Sequence, residues 1–362
     1  MPDSRRPVRV GLLGFGHGGR VFHAPLISAT PGMVLAAVVT RDPDRRRSLR
    51  ELYPGVAGLD TADELWARAG EIDVAVIATP NRSHVGLARA AMAAGLAVVI
   101  DKPMAPTAAE ARALVREARE RGRLLTVFQN RRWDADFLTV RRLVGEGALG
   151  MVWRFESRYE RWAPSVNEHA WRERATAEDA GGILFDIGAH LVDQALQLLG
   201  PARTVYAELD HRRAGAVIDD DAFVALAHAS GARSHLWMSK AAAQRGPRFR
   251  VLGDRAAFTK HGLDGQEIAM AVGIKPDAPG FGEEPPDHWG VLGEGDSVPR
   301  VASARGGYLQ FYAGVVAAVR DGAPLPVYAS DAVAALDVIE AARASATRGE
   351  VISLADARAR PG

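Results

Sequence analysis

The sequence contains no cysteine. Disulfides, thiolate metal sites and a cysteine nucleophile are therefore excluded. Lysine is almost missing as well. Of 45 basic residues, only Lys102, Lys240, Lys260 and Lys275 are lysines, and the rest are arginine. Arginine does not exchange protons near neutral pH, so any lysine close to a prospective site is informative. Neither sign of charge predominates: 45 basic residues face 44 acidic ones, for a formal net charge of +1. That balance argues against a nucleic-acid or membrane surface as the main partner. No apolar run is long enough to span a bilayer, and Met1 to Leu12 runs almost directly into a strand, too short a lead for a signal peptide. The expectation is a cytoplasmic protein acting on small molecules.

What is present is ordinary globular material, 48% hydrophobic and 25% charged over 362 residues. That length exceeds what one hydrophobic core usually supports, so two domains are expected, divided at 1-128 and 129-362. The first opens with Val8 to Leu13, a short apolar strand. Gly14-Phe15-Gly16-His17-Gly18-Gly19 follows, and a helix can begin at Arg20. Strand, glycine motif and helix in that order form a dinucleotide-binding fingerprint. Gly14 permits the turn, Gly16 lets the backbone approach a pyrophosphate, and Gly19 lets helix pack on strand. Further apolar strands at 34-39, 73-78, 97-100 and 124-128 alternate with helical stretches, the signature of a parallel sheet covered on both faces. The domain reads as a Rossmann fold.

Cofactor choice is read at the end of the second strand. NAD-binding domains usually place an acidic residue there for the ribose 2′-hydroxyl. Here the chain reads Thr40-Arg41-Asp42-Pro43. Asp42 before Pro43 suits a helix N-cap, and the Arg41 fork suits a 2′-phosphate, which points to NADP(H) over NAD(H). The alternative leaves Arg41 in solvent and gives Asp42 to the ribose. Ligands of such sheets bind outside the carboxyl ends of the strands. The glycine loop with His17, the turn Thr79-Pro80-Asn81 with His84 following, and Asp101-Lys102-Pro103 all arrive there as cofactor-binding candidates. Lys102 is a candidate proton donor or electrostatic anchor for a substrate oxygen. An exposed lysine paired with Asp101 is the plainer reading.

After Asp134 the pattern changes. Stretches at 152-159, 204-209, 223-228, 234-238 and 249-252 read as strands, the last four without helices between them. They predict an α/β domain with a large, mostly antiparallel open sheet. On the first, Trp153, Phe155 and Tyr159 alternate with Arg154, Glu156 and Arg158. The free face of that sheet is a candidate interface for a homodimer or homotetramer. Residues 275-307, rich in proline and glycine, read as an irregular lid or subunit-contact loop. In the run from Gly181 to Asp193, helical spacing sets Asp186, His190 and Asp193 on one face. A carboxylate beside an imidazole fixes its tautomer and raises its basicity, as a general base near neutrality needs. A surface i,i+4 pair is the simpler alternative. A metal site lacks a second ligand cluster, and none is expected.

At these residues the sequence resembles the glucose–fructose oxidoreductase/inositol dehydrogenase/rhizopine catabolism (Gfo/Idh/MocA) family over essentially its whole length. The motifs are Gly14-Phe15-Gly16-x-x-Gly19, Thr79-Pro80-Asn81, Asp101-Lys102-Pro103, Asn130 to Asp134, and Gly181-Gly182 followed by Asp186-x-x-x-His190. Phe22-His23-Ala24-Pro25 and Asn130 to Phe137 are most similar to NADP-dependent scyllo-inositol dehydrogenases. The resemblance implies Lys102, Asp186 and His190 as the catalytic set and a sugar or cyclitol as substrate. In one departure, Asp101 stands where the family usually has Glu. Some members of the family are NADP sensors without turnover, which leaves a regulatory protein as the second reading. A polyol is held by hydrogen bonds and an apolar wall, so Asn130, Arg131, Trp133, Tyr159, Arg161 and Trp162, with Asp186 and His190, are substrate-binding candidates; core packing is the alternative for each aromatic.

Overall fold

Near-continuous runs of Val, Ile, Leu and Ala leave a strand no polar face, so the central strands of the first sheet bury both sides. β1 (Val8–Leu13), β2 (Met33–Val39), β3 (Ala57–Leu59), β4 (Val74–Ile77), β5 (Ala97–Asp101) and β6 (Leu125–Phe128) form a parallel sheet in the order β3-β2-β1-β4-β5-β6. All four residues of β4 are buried. The strand order reverses between β1 and β4, opening a crevice at their carboxyl ends. The computed structural model describes residues 6–354 apart from 168–172, 174–175, 177–178 and 296.

The second sheet has eight strands. They are β7 (Val152–Glu160), β8 (Ala202–Asp210), β9 (Asp221–His228), β10 (Arg233–Ser239), β11 (Phe249–Gly253), β12 (Ala257–Lys260), β13 (Val291–Gly293) and β14 (Ile352–Ser353). Their order is β13-β12-β11-β7-β10-β9-β8-β14, with β7 and β10 parallel and every other pair antiparallel. Period-two alternation sorts each strand: Ala222, Val224, Leu226, Leu236 and Met238 are buried under helices Ala189–Leu199 and Ala329–Arg348. Phe223, His235 and Trp237 cluster on the other face, and the Arg158 guanidinium lies 3.8 Å from the Trp237 ring centre. Trp153, aligned with Phe155, is 44% exposed because it stands at the strand's start, beyond the helical cover.

The chain returns to the first sheet near its end. Helix Leu309–Asp321 packs on helix Ala24–Ala29, and helix Ala329–Arg348 packs on helix Ala108–Glu120, where Arg112 pairs with Asp337 at 2.7 Å. Residues 275–307, apart from 296, are tied to the body. Lys260 and Glu284 form a buried ion pair at 3.1 Å, Thr139 Oγ1 accepts the Ala304 amide, and the Trp133 carbonyl accepts the Gly307 amide. Among the described residues no helix is long and apolar enough to cross a membrane.

Candidate active site

The loop after β1 is shaped by what glycine lacks. Gly14 has φ +96°, and a Cβ there would stand 2.6 Å from the Ala78 carbonyl oxygen. A Cβ on Gly19 would lie 2.0 Å from the Gly14 oxygen, so this glycine lets the π-helical turn Gly18–His23 sit on the strand end. At Gly16 the only atom within reach is the Arg45 guanidinium, at 3.6 Å. The loop thus leaves an open floor for a pyrophosphate. A cleft of about 760 Å³ runs over it, lined by Gly14, Gly16, His17, Thr40, Arg41, Thr79, Pro80, Asn81, Asp101 and Lys102.

Asp42 is an N-cap. Its Oδ1 accepts the Asp44 and Arg45 amides, which opens helix Pro43–Leu52. These bonds hold its carboxyl below the usual carboxylate range. Arg41 is exposed and makes no ion pair among the described residues. Arg45 lines the same cleft. It sits in the first turn of helix Pro43–Leu52, and the sequence does not single it out, because its place beside Arg41 depends on how the Asp42 cap turns the chain.

His84 lies outside the cleft lining: it is fully buried, bridging the Thr79 and Pro103 carbonyls at 2.8 and 2.9 Å, and so braces two of the turns that line it. Asn81 Nδ2 donates to the Ala180 carbonyl at 3.1 Å, joining the first domain to the segment ahead of helix Ala189–Leu199. Ala180 has φ +57°, and Gly182 has φ +91° with Asp219 Oδ1 only 2.1 Å from where its Cβ would be. Asp219 Oδ2 accepts the Leu184 amide, which starts a π-helical turn, Leu184–Gly188, ahead of helix Ala189–Leu199.

Lys102 reaches across from the end of β5. Its Nζ donates to Asp186 Oδ1 at 3.0 Å and to the Asp186 carbonyl. His190 is buried nearby, and its Nδ1 is 3.2 Å from Gln129 Oε1. Two expectations are corrected here. Gln129, and not Asp186, meets Nδ1 of His190, because the π-turn carries about one extra residue and breaks the α-helical i,i+4 register. Asp193 turns away from the site and takes Arg132 in a bidentate pair at 2.6 and 2.8 Å. Burial, and then the Lys102 and Arg131 cations, pushes the His190 imidazole well below its ordinary range. Gln129 carried no signal in the sequence, since its role depends on β6 ending beside a helix 61 residues later.

The substrate candidates divide. Arg131 is buried and held by Glu267 at 2.7 Å, Asp134 at 3.4 Å and the Tyr159 hydroxyl at 3.1 Å. Asn130 is buried at the start of the turn Asn130–Trp133. Trp133 is half-buried and packs edge-on against Phe311 at the margin of the core. Arg161 is exposed, and Trp162, 57% exposed, lines a separate cavity with Arg212 and Arg213, so the fold does not bring these two to Lys102. Glu267 also faces His17 at 3.6 Å and so links the glycine loop to Arg131. Among the described residues no group of three or more His, Cys, Asp or Glu is placed to hold a metal.

Residues 8–129 match the oxidoreductase family with an NAD-binding Rossmann fold, and residues 137–259 match the Gfo/Idh/MocA C-terminal domain. The chain is 33% identical over 351 residues to a scyllo-inositol 2-dehydrogenase (NADP(+)) of Bacillus subtilis (strain 168), covering 96% of both chains. It is 37% identical over 352 residues to an oxidoreductase of Escherichia coli (strain K12), covering 96% of this chain and 99% of the other. The solved structure of an oxidoreductase from Bacillus subtilis superposes with a TM-score of 0.89 at 32% identity, covering 96% of this chain and 98% of that one.

Proposed function

The chain belongs to the Gfo/Idh/MocA oxidoreductase family, and from that premise we propose that it interconverts a secondary alcohol and a ketone on a cyclitol or sugar, with NADP(H) as the preferred cofactor. The observation that carries this reading is the meeting of Lys102, Asp186 and His190 at the carboxyl edge of β5, beside the glycine-loop cleft. Gly14, Gly16 and Asp101 line the cleft that would hold a nicotinamide dinucleotide, which would supply a hydride acceptor or donor.

The residues of the chain handle the proton. A Gln129 oxygen facing Nδ1 keeps a hydrogen on that nitrogen and leaves Nε2 as the acceptor for a substrate hydroxyl proton. A neutral imidazole is required for that step, and the depressed affinity of His190 for protons keeps it neutral through physiological pH. The Lys102 ammonium, aimed by Asp186, stabilises the oxygen as negative charge develops. A neutral substrate fits the charge inventory. Arg131, Arg132 and Arg248 are all bound to carboxylates, by Glu267, Asp193 and Asp136 in turn, so they are not free to pair with a substrate anion.

NADP(H) is favoured because Asp42 is committed to its N-cap while Arg41 and Arg45 flank the end of β2. Incubating the enzyme with a panel of inositols and aldoses while following nicotinamide absorbance tests the reaction. Turnover of a charged keto acid far above any polyol would overturn the substrate class.

A further inference from the structure

The segment Phe22-His23-Ala24-Pro25 takes no part in the proposed reaction, yet it sets an imidazole directly behind the lysine. His23 ends the turn Gly18–His23 and is fully buried. Its Nδ1 is 2.6 Å from the Tyr312 hydroxyl, which belongs to helix Leu309–Asp321. Its Nε2 has no hydrogen-bond partner and faces Asp101 Oδ2 at 3.7 Å. The other oxygen, Asp101 Oδ1, accepts the Lys102 amide at 2.8 Å. Residues some 290 positions apart in the chain thus end on the carboxylate that holds the lysine's backbone.

Hydrogen-bond chemistry selects one tautomer. Tyr312 has a hydroxyl proton to donate, and burial pushes its ionisation well above the ordinary range. When it donates to Nδ1, the imidazole hydrogen sits on Nε2 and points at the carboxylate. The opposite tautomer would turn a buried nitrogen lone pair toward Asp101 Oδ2, an unfavourable pairing of like-signed dipole and charge. Phe128 packs against the imidazole with ring centres 4.4 Å apart, so the ring has little freedom to turn. A Cβ on Gly18 would lie 2.9 Å from Asp101 Oδ2, so glycine is what lets this loop close over the carboxylate. The titratable groups facing His23 and Asp101 are Tyr312, His84 and Lys102. Burial alone would raise the Asp101 carboxyl, but His23 foremost and Lys102 hold it below the usual range.

We propose that His23, kept in its Nε2–H tautomer by Tyr312, is a positioning residue: it fixes Asp101 as a carboxylate and, through Asp101, the backbone from which Lys102 reaches the substrate. This rests on the role given to Lys102 in the proposed reaction. The tautomer is read in the protein without cofactor, by histidine-selective ¹⁵N NMR, with the His23 signals assigned by their loss in His23→Asn. The expected spectrum shows a hydrogen on Nε2 and none on Nδ1, changed in Tyr312→Phe. A hydrogen on Nδ1 in the wild type overturns the proposal. In turnover, Tyr312→Phe keeps the aromatic packing, so it is the variant that decides if His23→Asn fails to fold. It should lower kcat about fivefold to tenfold, as for a lost buried hydrogen bond, with little change in KM. It should also move the pH dependence of NADPH binding toward higher pH, as burial prevails at Asp101. A drop that merely tracks the folded fraction, with the pH dependence of NADPH binding unmoved, would show that the pair only packs the core. Absence of polyol turnover in the wild type would count against the proposed reaction alone; the tautomer and the pH dependence of NADPH binding, which should shift in Tyr312→Phe, would still decide for or against His23.

Discussion

Gln129 and His190 show how one amide decides the chemistry of a base. A carboxylate at Nδ1 would raise the imidazole, whereas the uncharged Gln129 fixes the tautomer and leaves burial and the Lys102, Arg131 and Arg248 cations to outweigh the Asp186 charge and depress it. In alcohol oxidation the base works unprotonated, so kcat/KM falls as pH drops through its pKa. The wild-type limb should therefore lie well below the near-neutral value of an ordinary imidazole. Gln129→Glu should shift it toward neutrality, measured as kcat/KM against pH; an unmoved limb would mean that another group carries the proton. His190→Ala should lower turnover by roughly a hundred to ten thousand times while NADPH affinity holds. Near wild-type turnover in that variant would point to Lys102 as the base. At the other end of the cleft, Arg41→Asp should swing preference from NADP(H) toward NAD(H) in fluorescence titrations, since the new carboxylate repels a 2′-phosphate and accepts from a 2′-hydroxyl. Equal affinities for the two cofactors in the wild type would remove the basis for assigning NADP(H).

Between elements, the contact most open to test is Glu267, which leads from helix Gln266–Ala271 to His17 in the glycine loop and to Arg131. Burial would raise its carboxyl, but His17 and Arg131 hold it at about 2, against an ordinary 4.5. A group with a depressed folded pKa binds fewer protons folded than unfolded, so its stabilisation is complete above pH 4.5 and disappears as pH falls toward 2. Glu267→Gln should therefore be less stable than wild type at neutral pH, by about 2 kcal/mol once partial exposure is allowed for. The two should converge as pH falls toward the folded value. Denaturant unfolding over that pH range checks it, and a difference independent of pH would refute the ion-pair account. Asp264, pushed up to about 6 by burial and by Asp136, has the opposite sign: its contribution is complete below its ordinary value and lost as pH rises through about 6.

On the scale of the whole molecule, the outer face of the second sheet carries no helix among the described residues. Phe223 and Trp237 stack with centres 5.1 Å apart among Arg154, Glu156 and Arg158, a half-apolar surface of the kind that oligomers bury. A dimer or tetramer built on it should appear in light scattering, and Trp237→Glu should shift the protein toward smaller species without unfolding it. A wild-type monomer at micromolar concentration would count against this face as an interface.

Local pattern alone determined the two sheets, the glycine loop, the Asp42 cap and the arrival of Lys102 at a strand's carboxyl end, because these depend on neighbours within a few residues and on period-two alternation. The short strands β3, β12, β13 and β14 escaped it, since two to four residues are too few to show a period and pair only because longer strands offer them an edge. Helical spacing also misread the run from Asp186 to Asp193: it assumed 3.6 residues per turn, and a π-turn seeded by Asp219 lies across it. Partners drawn from remote segments were decided only in three dimensions. Gln129 at His190, Glu267 between His17 and Arg131, and Tyr312 behind His23 are matched by packing, and no residue-level preference signals a hydrogen bond to a group that the chain reaches only by folding.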